Sequence, residues 1–374
     1  MAVYTDLDRT AEELKQAEPG SGDRYRAFVA KAGAALDRLA PLLTEAHSAG
    51  RFVTSGAWRA APWTLASLRQ LLRLNRLDGP AAAATSIWTL IAGGDPARAP
   101  GPMALVPALI HRDGAVRPAG GVHQIVGLLE AALVNAGVEV IRNAPVEAIV
   151  TAGKRARGVR LVTGRELPAE VVISDIGGAA ALLDLVDLAP PAGLRFRLRG
   201  GLQSPGISAY LRLRGPRSSE IRFLVDGDPP RARAVIHPAD TDAEGWAAGR
   251  LIAPLGTVEA ARLGPVGQRA LLEAYLGERW WRDTGGSGEI EVEVAATRLV
   301  ADWGTTFRLR DDAMNLVMTR RQMLLGRLPH RINHVAGLYL TGSWTHPGQW
   351  ISFCSVSGVL AADLARRDRS PARV

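Results

Sequence analysis

Residues 337–367 read Gly337-Leu-Tyr-Leu-Thr-Gly342-Ser-Trp-Thr-His346-Pro-Gly-Gln-Trp350-Ile-Ser-Phe-Cys-Ser-Val-Ser-Gly-Val-Leu-Ala-Ala-Asp-Leu-Ala-Arg-Arg367. An apolar strand, Gly337 to Leu340, ends at a loop over Thr341 to Ser352. A helix follows, from about Ser355 to Arg367. The glycine at the strand end and the helix N-terminus pointing back at the loop form a geometry able to hold the anionic part of a cofactor. Strand–glycine–helix turns are common, so this stretch takes its meaning from what surrounds it.

Upstream, Arg117-Pro118-Ala119-Gly120-Gly121 leads into an apolar-periodic helix, Val122 to Ala136, that stops at Gly137. Strands are expected at Val138–Ile141, Val146–Val150, Gly158–Val162 and Val171–Ser174. Thr163-Gly164 is read as the hairpin turn between the last two. The N-terminal part is helical: residues 8–49 break at Pro19-Gly20, and a second stretch from Trp58 to Leu77 alternates leucines with Arg59, Arg69, Arg73 and Arg76. That second stretch suits either a core helix with a wet face or a helix lying on a membrane. Between 180 and 300, turns fall at Gly200-Gly201, Asp226-Gly227-Asp228 and Gly285-Gly286, with strands near Ile207–Leu213 and Ile290–Val294. No internal repeat and no linker is apparent.

The composition closes several classes. At 374 residues, with 47% hydrophobic and 22% charged residues, the chain buries a real core. The first residues carry charge from Asp6 onward, unlike a secretory signal, and no apolar run approaches the ~20 residues that span a bilayer. One cysteine, Cys354, excludes an internal disulfide and a multi-cysteine metal site, and fits a reducing cytoplasm. The seven histidines lack ligand spacing, so no metal is expected. The net charge of +8 is spread along the chain with no nucleic-acid-reading motif, which favours a solvated arginine-rich surface over nucleic-acid binding. An anionic membrane surface or a partner chain stays compatible with that charge.

Taken together, the final strand, the Thr-His-Pro-Gly loop and the Ser-Gly-x-x-Ala-Ala helix resemble the C-terminal signature of phytoene desaturases and related FAD-dependent oxidoreductases. Arg117 to Gly121 is similar to that family's Pro-x-Gly-Gly helix entry. Asn143 to Ile149 resembles its adenine-contacting strand, and Ala169 to Ser174 its Ala-Asp-x-Val-Val strand. Gln322, Arg327 and Pro329 also fit. The resemblance implies an α/β fold: a helical part of the substrate domain over 1–110, a partial FAD-domain-like unit over 111–185, a mixed sheet-and-helix substrate domain over 186–304, and the rest of the FAD-domain-like unit over 305–370. It also implies FAD contacts at Val146, Gly342, Ser343, His346, Pro347 and Gly348.

Two departures qualify it. No Gly-x-Gly-x-x-Gly turn follows an apolar strand, so the nucleotide-binding half is expected from another polypeptide or from upstream sequence. Where the family continues with glycines, this chain has Gln349-Trp350-Ile351-Ser352-Phe353, and Ser343 stands where an acidic or small residue is usual. FAD is therefore not expected to bind tightly to this chain alone. Gln349, Trp350, Phe353 and Trp303 are candidates for a substrate pocket, and the loop from Gly342 to Phe353 is expected to border one. His346 is a candidate acid–base group, although a histidine before proline more often bonds its own turn. Cys354 reads as inert packing rather than a reactive thiol.

Three functions follow: part of a flavin-dependent desaturase or dehydrogenase acting on a hydrophobic isoprenoid or polyene, a cofactor-free isomerase or cyclase, or a non-catalytic binding subunit. The helix from Val122 to Ala136 and the strand Gly337 to Leu340 are expected to leave an apolar surface that invites a second copy or a complementing flavin-binding chain.

Overall fold

Asp6 opens the first helix, α1 (Leu7–Ala17), by accepting a hydrogen bond from the Arg9 amide at 2.9 Å. Pro19-Gly20 ends it, and α2 (Ser21–Thr44) folds back along it. Gly22 lets the two helices touch, since a Cβ there would overlap the Ala11 carbonyl. Leu14, Tyr25, Phe28 and Ala32 are fully buried between them. The computed structural model describes residues 2–44, 53–216, 220–228, 230–238, 240–283, 288–325 and 327–369. The turn at Gly285-Gly286 and the end of the helix read over 8–49 lie outside them.

The single helix expected over 58–77 is instead two, α3 (Ala61–Leu65) and α4 (Leu68–Leu74), after a short turn at Ala57–Ala60. Ala66 is extended, and Ser67 and Gln70 form a reciprocal capping box. The carbonyl of Ala66 accepts from the Gly101 amide, and the Leu68 amide donates to Ala99. The local cap and this pairing outweigh the helical periodicity. Leu68, Leu71 and Leu72 are buried while Arg69, Arg73 and Arg76 face solvent. Helices α5 (Gly79–Leu90) and α6 (Val106–Asp113) complete this layer, whose core runs from Leu14 to Ala108.

Helix α7 (His123–Asn135) forms as expected, with no residue buried along it. Residues 138–141 are not a strand, because among the described residues no neighbouring strand offers them a hydrogen-bonded partner. β1 (Val146–Ala152), β2 (Arg155–Leu161) and β3 (Glu166–Pro168) make an antiparallel sheet. The turn at Thr163-Gly164 therefore joins β2 to β3. β4 (Val172–Ser174) leaves that sheet to pair in parallel with the distant β12 (Leu338–Leu340). Helices α8 (Gly178–Leu183) and α9 (Ala192–Leu198) follow β4.

A second layer is a five-stranded antiparallel sheet in the order β10-β6-β9-β8-β7, from β6 (Ile207–Arg214), β7 (Glu220–Asp226), β8 (Arg231–His237), β9 (Ala247–Ala253) and β10 (Glu291–Arg298). Beside it a two-residue β5 (Leu202–Gln203) pairs with β11 (Asn315–Leu316). Helix α10 (Thr257–Gly277) covers one face, kinked at Gly264-Pro265. Trp281 is fully buried beneath it among Leu211, Leu251 and Leu272. Helices α11 (Val300–Phe307), α12 (Arg320–Leu325) and α13 (Ile351–Arg369) complete the chain. The last begins a turn earlier than the sequence reading placed it.

Trp281→Ala is expected to cost about 3–5 kcal/mol, as truncation of a fully buried aromatic does. Val266→Ala, at a position 83% exposed, is expected to stay within about 0.5 kcal/mol. Thermal unfolding followed by circular dichroism measures both, and equal midpoints would place Trp281 outside the core.

Candidate functional site

The site is assembled where two parallel strands end together. β4 and β12 pair from Leu338 opposite Val172 to Leu340 opposite Ser174, and the Thr341 amide donates to the Ser174 carbonyl at 2.9 Å. Beyond that point the chain turns at Gly342, whose φ of 83° suits glycine and whose missing side chain makes room for the Asp175 carboxylate. Burial pushes the Asp175 pKa up. The loop is then tied to α13. The fully buried Ser357 hydroxyl accepts from the Gly342 amide at 2.9 Å and shares hydrogen bonds with the Thr341 and Thr345 hydroxyls at 3.0 and 2.7 Å. Trp344 is buried, its indole N–H donating to the Met314 carbonyl at 2.9 Å.

Past Thr345 the loop reaches the helical layer. The His346 Nε2 proton is donated to the Leu42 carbonyl, at 2.7 Å, at the end of α2. The Gln349 carbonyl oxygen accepts from Asn315 at 2.6 Å. Trp350 stacks on Phe353, with ring centres 5.9 Å apart and planes 4° from parallel, and meets the edge of Trp88 at 6.2 Å.

Between this loop, α2, α3, α6 and the segment 317–333 lies a cavity of about 1040 Å³. Its walls are mainly aliphatic: Leu36, Leu39 and Leu42 from α2, Leu105, Val106 and Leu109 around α6, with Met103 and Met318. Trp350, Phe353, Gln349, His346 and Pro347 close the other side. Among the described residues no aspartate or glutamate lines it, and its charged groups are Arg197, Arg327 and Arg331. His330, also on the wall, is held neutral by burial, which pushes its pKa down, and its Nδ1 proton goes to the Leu340 carbonyl.

Other residues singled out from the sequence lie elsewhere. Gly342, Ser343 and Gly348 stand behind the wall rather than on it. Val146 begins β1, its carbonyl taking a long hydrogen bond from Arg308. Trp303 is outside the cavity, stacked on Phe307 at 5.8 Å with the Arg250 guanidinium 5.5 Å from its ring, because α11 packs against the sheet and not against the loop. The residues that sequence reasoning missed are the α2 and α6 leucines, whose helical spacing signals core and cavity wall alike, and Arg327 as a cavity residue.

As a cradle for FAD, the loop is crowded around its glycines. A Cβ would meet Asp175 at Gly342, Trp344 at Gly177, Leu328 and Trp344 at Gly178, and Met318 and Arg327 at Gly348. The Gly342 amide is already spent on Ser357. Among the described residues there is also no cluster of histidine, cysteine and carboxylate groups that could hold a metal, and no helix long and apolar enough to cross a membrane.

Solved structures with the same fold include an oxidoreductase from Methanosarcina mazei (TM-score 0.55, 15% identity, 80% of this chain and 68% of that one) and putrescine oxidase bound to putrescine (0.58, 14%, 93% and 76%). The chain shares its fold with these two proteins. No family model matches the sequence. Similar characterised proteins are the 4,4'-diapolycopen-4-al dehydrogenase of Metabacillus indicus (28% identity over 48% of this chain), the hydroxyneurosporene desaturase of Cereibacter sphaeroides (28% over 98%) and the zeta-carotene-forming phytoene desaturase of Myxococcus xanthus (26% over 96%). The chain spans 38% of the length of the first of these, 79% of the second and 74% of the third. By sequence it is thus similar to desaturases and a dehydrogenase of this kind, a phytoene desaturase among them.

Cys354 sits in the first turn of α13, half-buried, its Sγ 3.8 Å from the Gly348 carbonyl. Burial, reinforced by the charge of Asp175, pushes its thiol pKa up despite the opposing pull of Arg327. Iodoacetamide at neutral pH is expected to alkylate it more slowly in the native chain than in urea. Equal rates would show a reactive, open thiol.

Proposed function

We propose that the chain is the polyene-enclosing part of a flavin-dependent desaturase or dehydrogenase, completed by a nucleotide-binding unit that carries the flavin. The observation that carries this reading is the cavity: about 1040 Å³, aliphatic and aromatic on nearly all sides, at the upper end of what small-molecule pockets reach. A long isoprenoid gains free energy there by leaving water, and the rigid Trp350–Phe353 stack fixes where it can lie. The named activities of the similar proteins, on polyenes such as hydroxyneurosporene, agree with that shape. They are a dehydrogenase and desaturases, and no observation favours the cofactor-free isomerase or cyclase or a purely non-catalytic subunit.

The need for a second unit is supported by α7. Val122, Val126, Leu129 and Leu133 recur on one face of it and are 47, 57, 58 and 41% exposed, and Val138, Val140 and Ile141 extend that apolar surface. Apolar side chains exposed in such number are costly in water and call for cover, whereas Leu338, Tyr339 and Leu340, expected to share the uncovered surface, are buried because β12 packs into the core around Leu328 and Trp344. In this reading the nucleotide-binding unit, on the same polypeptide or another, packs on α7. A peripheral contact with an anionic bilayer on the cytoplasmic side belongs to the same proposal, supported by exposed Trp58, Leu65 and Leu74 beside the solvent-facing Arg59, Arg73 and Arg76.

Incubated with phytoene in liposomes and free FAD, the chain alone is expected to leave the polyene unconverted. Addition of the nucleotide-binding unit of a similar desaturase is expected to give products with longer conjugation, read as red-shifted absorbance. Conversion by the chain alone would remove the second unit from the reading, and absence of both conversion and polyene binding would sink it. Sedimentation at micromolar concentration is expected to show self-association through the α7 face. Val126→Glu with Leu129→Glu, both at exposed positions, should return the chain to monomer, and an unaltered monomeric wild type would overturn the role given to that face.

A further inference from the structure

Arg327 is 8% exposed, and its environment is unusual for a cation. Its Nη1 donates to the Ser343 carbonyl, its Nη2 is 3.6 Å from the Met318 sulfur, and its Nε has no hydrogen-bond partner. No carboxylate lies within ion-pair distance of it among the described residues. Two further features locate it. It lines the apolar cavity, and Gly348, at a φ of 138°, lets its guanidinium lie flat against the loop, where a Cβ would come within 3.4 Å of Nε. Gln322, on the same wall, has a buried side-chain oxygen that is also without a partner.

A buried guanidinium without a counter-charge is costly, and one partner removed from such a pair is among the larger destabilising changes known. Burial drives its pKa down to about 10, so it stays charged at neutral pH. Nearby charge makes the deficit plainer. The other charged groups on the cavity wall are Arg197, which donates to the Arg327 carbonyl at 2.7 Å, and Arg331, which is paired with Asp368. The cavity is therefore mainly apolar, and its one buried cation, Arg327, has no carboxylate partner among the described residues.

We propose that the cavity takes a polyene carrying a carboxylate at one end, and that Arg327 holds that carboxylate. This deepens the polyene-enclosing reading and rests on it. The fork of the guanidinium matches a carboxylate, whereas a pure hydrocarbon would leave the cation as unpaired as it now stands. Arg327 thus sets which end of the substrate enters first, and so which bond of the chain lies beside Trp350 and Phe353.

All-trans retinoic acid and all-trans retinol are two polyenes that differ at one end only. Titrating the purified chain with each and following the quenching of tryptophan emission is expected to show the acid binding about tenfold more tightly, the share of a charge-assisted hydrogen bond. Arg327→Met should remove that preference while leaving retinol affinity in place, and Arg327→Lys should restore part of it. Equal affinities for the two retinoids in the wild type overturn the proposal but leave the polyene cavity standing, and this comparison stands alone if the methionine variant fails to fold. An acid preference that persists in Arg327→Met also overturns it. Binding of neither retinoid would sink both readings. Displacement of the acid by added FAD would assign the guanidinium to the cofactor and overturn the carboxylate assignment.

Discussion

The Ser357 hydroxyl, fully buried on α13, is the constraint on which the site depends. It bonds the Gly342 amide and the hydroxyls of Thr341 and Thr345 at once. A strand end, a loop and a helix meet at one oxygen, and a buried polar group so completely used is costly to disturb. Because the loop is fixed there, its far half has little freedom. His346 is delivered to the Leu42 carbonyl of the helical layer, and Trp350 is placed against Phe353 and Trp88. Through His346 the helical layer and the β4–β12 pair share one wall of one cavity, although 304 residues separate the bonded groups in sequence.

Much of this was legible in the chain. The strand, the glycine at 342, the loop and the last helix followed from the apolar run and the breaker residues of 337–367. The helix after Gly121 was likewise a local signal, and so was the turn at Thr163-Gly164, but the strand it leads into is β3 and not Val171–Ser174, whose partner is the distant β12. What failed was whatever depended on a distant partner. Residues 138–141 have the composition of a strand, but a strand exists only where another backbone offers hydrogen bonds, and none among the described residues does. The break at Ala66 was half legible, through Ser67 and Gln70, and half not, because the backbone that pairs with it is Ala99 to Gly101. Trp303 could not be separated from Trp350 by sequence, since both are aromatic residues near helix starts. Only packing decides that one stacks over Arg250 and the other walls a cavity.

The arginine-rich composition resolves into distinct uses. On the outer strands, Arg212 and Arg214 sit directly opposite Glu293 and Glu291 in the β6–β10 register and pair with them at 2.8 and 2.5 Å, with Trp246 beneath both guanidinium groups. These pairs are about half exposed and contribute little each, about 0–1 kcal/mol. Their role is to cover a sheet surface with matched charge, so the excess of arginine that makes the chain basic lies elsewhere. Arg233, bound by both Asp226 and Glu278 and stacked over Tyr275, is a buried version of the same arrangement.

Against that background the two uncompensated features are the ones that bear on function. Where the fold could have placed a carboxylate beside Arg327 it placed Met318 and a carbonyl. Where it could have turned the α7 leucines inward it left them in water. A chain that gives Arg212, Arg214 and Arg233 carboxylate partners can satisfy charges when only its own stability is at issue. An unpaired guanidinium inside an apolar cavity and an uncovered apolar helix outside it are therefore best understood as costs balanced by something that binds. The two sites differ in kind: one requires a small charged end group in a narrow dry space, the other a broad apolar surface, so a single ligand cannot meet both. Under the proposed function, a substrate answers the first and a protein surface the second.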